Sequence, residues 1–171
     1  MNLHIRPVQI SDEHDVRAAE AEFAGSGFDW STRPPDFVAT WADYVRLLQD
    51  WEQGRNLPDG WVPASTRLAI VDDRVAGRLS VRHELNEFLS LVGGHIGYGV
   101  RESFRRRGIA TQLLAEGLEI LRTVGLSTAL VTCKETNVGS ATVIERGGGV
   151  LRDRTVHPVT NDVMRRYDIV L

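Results

Sequence analysis

Apolar residues fall at two different periods along this chain, and each change of period marks an element. Phe37, Trp41, Tyr44, Val45, Leu48 and Trp51 recur every third or fourth position, which predicts an amphipathic helix over about 36–53. Leu113, Leu114, Leu118, Leu121 and Val124 repeat that spacing in a helix that stops near Gly125. Ser11 and Asp12 are good capping residues for an earlier helix that runs through about Phe23. Asn137 precedes a further helix, with Ala141, Val143 and Ile144 on or near its buried side and a run of glycines, 147–149, at its end.

Shorter apolar stretches supply the strands. Leu3, Ile5 and Pro7 begin one; residues 67–71 form another, returned by the turn at 72–74 into a hairpin partner over 75–83. The glycine-rich run 93–100 carries a strand from His95 to Val100, and 129–132 forms a short apolar strand buried between helices. Two closing strands, about 150–156 and 164–171, are joined by a turn at 157–162. Residues 25–35 and 54–66 are loops by their Gly, Ser and Pro content, and 84–92 is a short helix or loop. The resulting order is β-α-α-β-β-β-α-β-α-β-β, with no repeats. A helix crosses between the glycine-rich strand and the 129–132 strand, so those two are parallel. The remaining pairs are expected to be antiparallel, giving a mixed α/β layer structure.

Composition narrows the class without choosing a function. At 171 residues the chain suits one domain, 1–171, and 42% apolar with 25% charged residues is ordinary for a soluble globular protein. The net charge of −3 argues against bulk affinity for nucleic acid. No apolar run approaches the roughly 20 residues that span a bilayer. The N-terminal segment lacks the order of a signal peptide, so a cytoplasmic protein without membrane partners is expected. Cys133 is the single cysteine, which removes an intrachain disulfide and disfavours a Cys-based metal site; no metal is expected.

The densest chemistry lies between the glycine-rich strand and the helix after it. Arg105-Arg106-Arg107-Gly108-Ile109-Ala110-Thr111 opens directly into that helix. A helix start built on small residues leaves backbone N–H groups pointing outward at the positive end of the dipole, which suits a phosphate or pyrophosphate. Gly108 and Ala110 let a ligand approach the backbone, and the arginines supply charge. Read alone, the cluster of Arg101, Arg105, Arg106 and Arg107 also fits a solvated face or a nucleic-acid patch. A P-loop is disfavoured because no Lys-Ser/Thr pair follows the glycine.

Placed between strand and helix, and followed by strand, Asn137 and helix, this pattern resembles the GCN5-related N-acetyltransferase superfamily, GNAT, over about 81–149. RHELNEFL, GGHIGYGVR and the Asn137 segment resemble a bacterial branch described as acetyltransferases. The resemblance implies a mostly antiparallel sheet of about seven strands, helices on both faces, and a central parallel pair splayed at one end. It also implies acetyl-CoA as co-substrate. Its pyrophosphate would lie on the N–H groups of Arg106, Arg107, Gly108, Ile109, Ala110 and Thr111, beside Arg105. The pantetheine arm would run along the strand near Tyr98 to Val100, with Asn137 and Ser140 facing it. An amine, on a small molecule or a peptide, would attack the thioester directly from the other side.

That chemistry asks for a base to free the amine, donors for the oxyanion and a proton for the thiolate. Many relatives place a tyrosine one to two turns into the helix after the Asn, and here that position is Ile144. His95 on the glycine-rich strand is the candidate base and Tyr98 the candidate donor, against the readings of satisfied core histidine and core aromatic. Tyr167 is a further candidate donor, and Glu84 and Glu87 are candidates to bind or deprotonate the amine, against the favoured reading of a solvated loop. Cys133 reads as a small buried residue. Trp41 and Trp51 fit a core face, whereas Trp30 and Trp61 lie in loops expected to line an acceptor pocket with the 36–53 helix. A non-catalytic acyl-CoA-binding module is the alternative. Exposed closing strands allow a homodimer.

Overall fold

The computed structural model describes residues 2–31 and 38–171. Its elements are β1 (Leu3–Pro7), α1 (Glu13–Phe23), α2 (Trp41–Glu52), β2 (Ala64–Val71), β3 (Arg74–Arg82) and β4 (Ile96–Val100), then α3 (Ile109–Val124), β5 (Thr128–Lys134), α4 (Val138–Arg146), β6 (Val150–Val156) and β7 (Val163–Val170). The strands form one sheet in the order β1-β2-β3-β4-β5-β7-β6. Every neighbouring pair is antiparallel except β4 and β5. The mixed, mostly antiparallel sheet and the element order are those expected from the sequence.

Two cores follow from the alternation of the central strands. On one face Leu79 and Val81 of β3 and Ile96 of β4 pack against Leu113, Leu114 and Leu121 of α3 and Ala141 and Ile144 of α4. On the other, Leu68 and Ile70 of β2 pack under Val16 and Ala19 of α1 and Trp41, Tyr44, Leu48 and Trp51 of α2. Each fully buried Leu or Ile here contributes roughly 1.5–3 kcal/mol. Gly117 lets α3 settle on β4, because a Cβ there would already lie 3.0 Å from Ile96 Cδ1.

Several boundaries differ from the sequence pattern for identifiable reasons. Helix α2 begins at Trp41 because Thr40 is extended (φ −137°, ψ 157°) and its hydroxyl accepts the Asp43 N–H at 3.1 Å, ending the helix outward. Residues 36 and 37, expected in that helix, lie outside the described residues. Asp12 turns its carboxylate back to the Gln9 N–H (2.7 Å) and to Arg6, so the chain enters α1 through the short 3-10 turn Ile10–Asp12. Strand β2 starts at Ala64, three residues early, because the ladder with β3 continues to the Ala64–Arg82 pair. The 84–92 segment closes as one wide turn, Leu89–Gly93, with the Gly94 N–H donating to the Leu89 carbonyl at 2.6 Å.

At the C-terminus of α2, Glu52 accepts Arg67 at 2.5 Å and the Ser65 hydroxyl at 2.8 Å, tying the helix to β2. Arg101 pairs with Glu22 at 2.8 Å, and the same carboxylate accepts the Glu102 N–H at 2.8 Å. The loop after β4 is thereby fastened to α1.

Candidate active site

Strands β4 and β5 are joined at only one residue pair, Ile96 with Val131. On its other side β4 is fully laddered, from Val81–Ile96 to Gly77–Val100. The Arg82 N–H reaches the His95 carbonyl at 2.8 Å and the Arg101 N–H reaches the Ala76 carbonyl at 2.9 Å, so within β4 Gly97 and Gly99 turn their peptide groups to β3. By alternation Tyr98 and Val100 turn theirs toward the side that β5 has left. The result is a wedge, closed at Ile96 and open toward Val100, with unladdered peptide groups along one wall.

The open end of the wedge meets the start of α3. Gly108 precedes the helix at φ +79°, with no side chain capping it, and the first helical bond runs from the Gln112 N–H to the Gly108 carbonyl. Among the described residues nothing pairs with the N–H groups of Ile109, Ala110 and Thr111 ahead of that bond. A Cβ on Gly108 would meet nothing within 4 Å, so the space above the helix start is clear. Arg106 holds φ +63°, which turns the loop over the helix end. The arginines divide by role. Arg101 is committed to Glu22, Arg105 donates through Nε to the Val100 carbonyl at 3.2 Å, and Arg107 lies over the Phe104 ring at 5.6 Å. The Ile109 side chain is buried in the core, so only its backbone faces this end.

Inside the wedge the Tyr98 hydroxyl is closed off from solvent with no hydrogen-bond partner among the described residues. Burial pushes it up to about 12; the nearby Ser140 hydroxyl works against that shift without reaching hydrogen-bond geometry, and Cys133 adds to it. Burial likewise pushes the Cys133 thiol up to about 11, which keeps it protonated and unreactive. Asn137 caps α4, its Oδ1 accepting the Ser140 N–H at 3.0 Å. Ile144 is 1% exposed and belongs to the core. The Tyr167 hydroxyl donates to Glu145 at 3.0 Å, away from the wedge wall.

His95 sits just before β4 at the closed end. Its Nδ1 accepts the Leu130 N–H at 2.9 Å, and its own N–H donates to the Leu130 carbonyl at 2.7 Å. Burial pulls its pKa below the ordinary value, so the ring is held neutral with Nδ1 already engaged. Glu84 and Glu87 are exposed.

On the other face of the sheet, over β2 and β3, lies a cavity of about 410 Å³. Tyr44, Leu48 and Trp51 of α2 and Trp61 of the 54–66 loop form an apolar wall, and Trp51 stacks at a tilt on Trp61 with ring centroids 5.1 Å apart. Trp30, expected beside Trp61, is instead 2% exposed in the α1–α2 core, drawn in by Phe23 at 5.0 Å. Arg78, Ser80 and Arg82 of β3 line the floor. Gly97 and Gly99 carry no side chain on this face: a Cβ on Gly97 would lie 3.5 Å from Arg82 Nη1, and one on Gly99 only 2.6 Å from the Phe28 ring. Sequence reasoning passed over Arg78, Ser80 and Arg82. Their signal was a polar period of two set against Leu79 and Val81 in an otherwise apolar strand. Among the described residues no cluster of three or more His, Cys, Asp or Glu is placed to hold a metal. No described helix is long and apolar enough to cross a membrane.

The fold recurs in known proteins. The family model for an acetyltransferase (GNAT) domain matches residues 2–150. No curated protein matches the chain in sequence. Solved structures do match in fold. Mycobacterium smegmatis RimJ, in complex with CoA-disulfide, has a TM-score of 0.74 at 19% identity, over 98% of this chain and 81% of that one. Ribosomal-protein-S5-alanine acetyltransferase from Vibrio fischeri has a TM-score of 0.74 at 14% identity, over 99% and 93%. The Salmonella typhimurium protein yncA, solved with its cofactor acetyl-CoA, has a TM-score of 0.65 at 13% identity, over 99% and 94%.

Proposed function

The chain belongs to the GNAT acetyltransferase family, and on that premise we propose that it is an acetyl-CoA-dependent N-acetyltransferase acting on a primary amine in a ternary complex. The observation that carries this reading is the wedge between β4 and β5 opening onto the uncapped start of α3. One continuous groove thus offers unladdered peptide groups for an extended amide chain and free N–H groups for a pyrophosphate. Fold neighbours solved with CoA or acetyl-CoA support the same choice of co-substrate. When bound, acetyl-CoA supplies an activated acetyl thioester.

The residues then divide the work. The N–H groups of Arg106 to Thr111 and the exposed Arg106 and Arg107 side chains hold the phosphates; Asn137 and Ser140 face the arm across the wedge. The N–H groups of Tyr98 and Val100 stabilise negative charge that develops on the carbonyl oxygen. Tyr98, whose pKa burial pushes up to about 12, keeps its proton and is the donor to the leaving sulfur in this reading, taking the part that the buried Ile144 cannot. His95 acts as a positioning residue: with Nδ1 engaged by Leu130, it holds the closed end of the wedge, and the amine's proton leaves through water in the open cavity. A non-catalytic acyl-CoA-binding module is the second reading, favoured by Ile144 in the donor's usual place.

Calorimetry with CoA and acetyl-CoA, followed by CoA-release assays with a panel of amines, tests both readings. Binding with turnover is the expected result. Binding without turnover of any amine selects the second reading, and absence of binding overturns both.

A further inference from the structure

We propose that the acceptor is a small amine bearing a carboxylate close to its nitrogen, a free amino acid with an apolar or aromatic side chain, whose carboxylate is bound by Arg82. This rests on the transferase reading and names its substrate class.

Arg82 stands on the floor of the cavity next to Gly97, on the opposite face of β4 from the α3–α4 core. Its Nη1 donates to the Gly93 and Gly94 carbonyls at 3.3 Å, and among the described residues no carboxylate pairs with it. Its charged neighbour is a second arginine, Arg78, which is 6% exposed in the same cavity wall. Burial, with the Arg78 charge added, pulls the Arg82 guanidinium down to about 10. Asp29 and Glu20 offset the Arg78 charge, whereas only burial and Arg78 itself act on Arg82, so the unbalanced positive charge in the cavity is that of Arg82. The one carboxylate on the lining among the described residues, Asp59, is exposed, where solvent screens it.

A planar guanidinium is shaped for a carboxylate held through two parallel hydrogen bonds. In an amino acid the nitrogen and the carboxyl group share one carbon, so a carboxylate on Arg82 sets the amine against β4 at the side-chain-free Gly97. The rest of the molecule then lies on Leu48, Trp51 and Trp61. A cavity of about 410 Å³ is of the size that encloses a single small ligand. A peptide chain end carries an amide in place of that carboxylate and leaves Arg82 without a partner.

The test compares L-leucine and L-phenylalanine with their amides and with 3-methylbutylamine and phenethylamine. Binding to the CoA-loaded protein is measured by calorimetry, and kcat/KM by CoA release. The acids are expected to exceed the amides and amines on the order of 100-fold in both. Arg82→Gln should bring acid and amide to the same value with CoA affinity unchanged, and Arg82→Lys should restore part of the preference. Equal use or equal binding of acids and amides by the unaltered protein overturns the proposal, and so does a loss in Arg82→Gln that is the same for both. Should Arg82→Gln fail to fold, the acid–amide comparison on the unaltered protein decides alone. Failure of CoA release with every compound counts against the transferase reading, while the calorimetric preference still decides the acceptor class.

Discussion

His95 and Leu130 are joined twice, the Leu130 N–H donating to the imidazole Nδ1 at 2.9 Å and the Leu130 carbonyl accepting the His95 N–H at 2.7 Å. A side chain thus supplies one of the two bonds that a strand ladder would normally make, at the point where β4 and β5 part. Burial, with the Arg82 charge added, holds His95 below its ordinary 6.5 in the folded state. The unfolded chain binds the proton more readily, and native stability is full above about pH 6.5 and falls as the pH drops below it. His83, also depressed by burial, adds to the same slope. We expect His95→Ala to lose roughly 1–3 kcal/mol at neutral pH by orphaning the Leu130 N–H. The variant should also show a shallower fall between about pH 7.5 and 5.5. Urea midpoints at both pH values check this; an unchanged slope would mean that His95 has the same pKa in the folded and unfolded protein.

The Gly108 position tests the cofactor end. Gly108→Glu places a carboxylate in the clear space above the α3 start, where its charge opposes a phosphate. We expect CoA affinity to fall at least about 100-fold while circular dichroism stays native. Gly108→Ala carries the same positive-φ strain, about 1–2 kcal/mol, without the charge, and should lose much less affinity. Equal CoA affinity in all three proteins would sink the assignment of the pyrophosphate to this turn.

Tyr98→Phe separates chemistry from packing. The hydroxyl has no partner to lose among the described residues, so removing it should leave stability unchanged or raise it by up to about 1 kcal/mol. As a proton donor, however, its loss should lower kcat by about 10–100-fold with CoA affinity kept. Thermal melts alongside steady-state kinetics read both quantities. Unaltered kcat would leave Tyr98 as a core aromatic.

On the acceptor face, Gly99 and Phe28 are in contact so close that a Cβ would stand 2.6 Å from the ring. Gly99→Ala should therefore cost roughly 1–3 kcal/mol by displacing Phe28. Phe28→Ala in the same chain should return part of that loss, because the two changes share one contact. Additive effects in the double variant would show that Phe28 does not set the glycine requirement.

Much of the fold was legible because each element carries its own period: Leu113 to Leu121 on one side of α3, Leu79 and Val81 alternating in β3. The 105–111 turn was legible as an anion site because an uncapped helix start is a local property. The apolar period places the start of α2 too early because it runs on past the Thr40 cap, and periodicity does not record where a hydroxyl closes the chain. The loop that carries Trp30 gives no period to mark it as core, because its burial depends on Phe23 from α1.

What the sequence by itself determined is therefore the order of elements, the two apolar faces and the cofactor turn, all properties of neighbouring residues along the chain. Only the tertiary structure decided what His95, Tyr98 and Arg82 can do. The His95 lone pair is engaged by a strand 35 residues away. Among the described residues the Tyr98 hydroxyl is left unpaired, and Arg82 is left without a carboxylate in a cavity that α2 roofs over. Each of these is a statement about partners gained or missing in space, and a linear pattern holds no record of them.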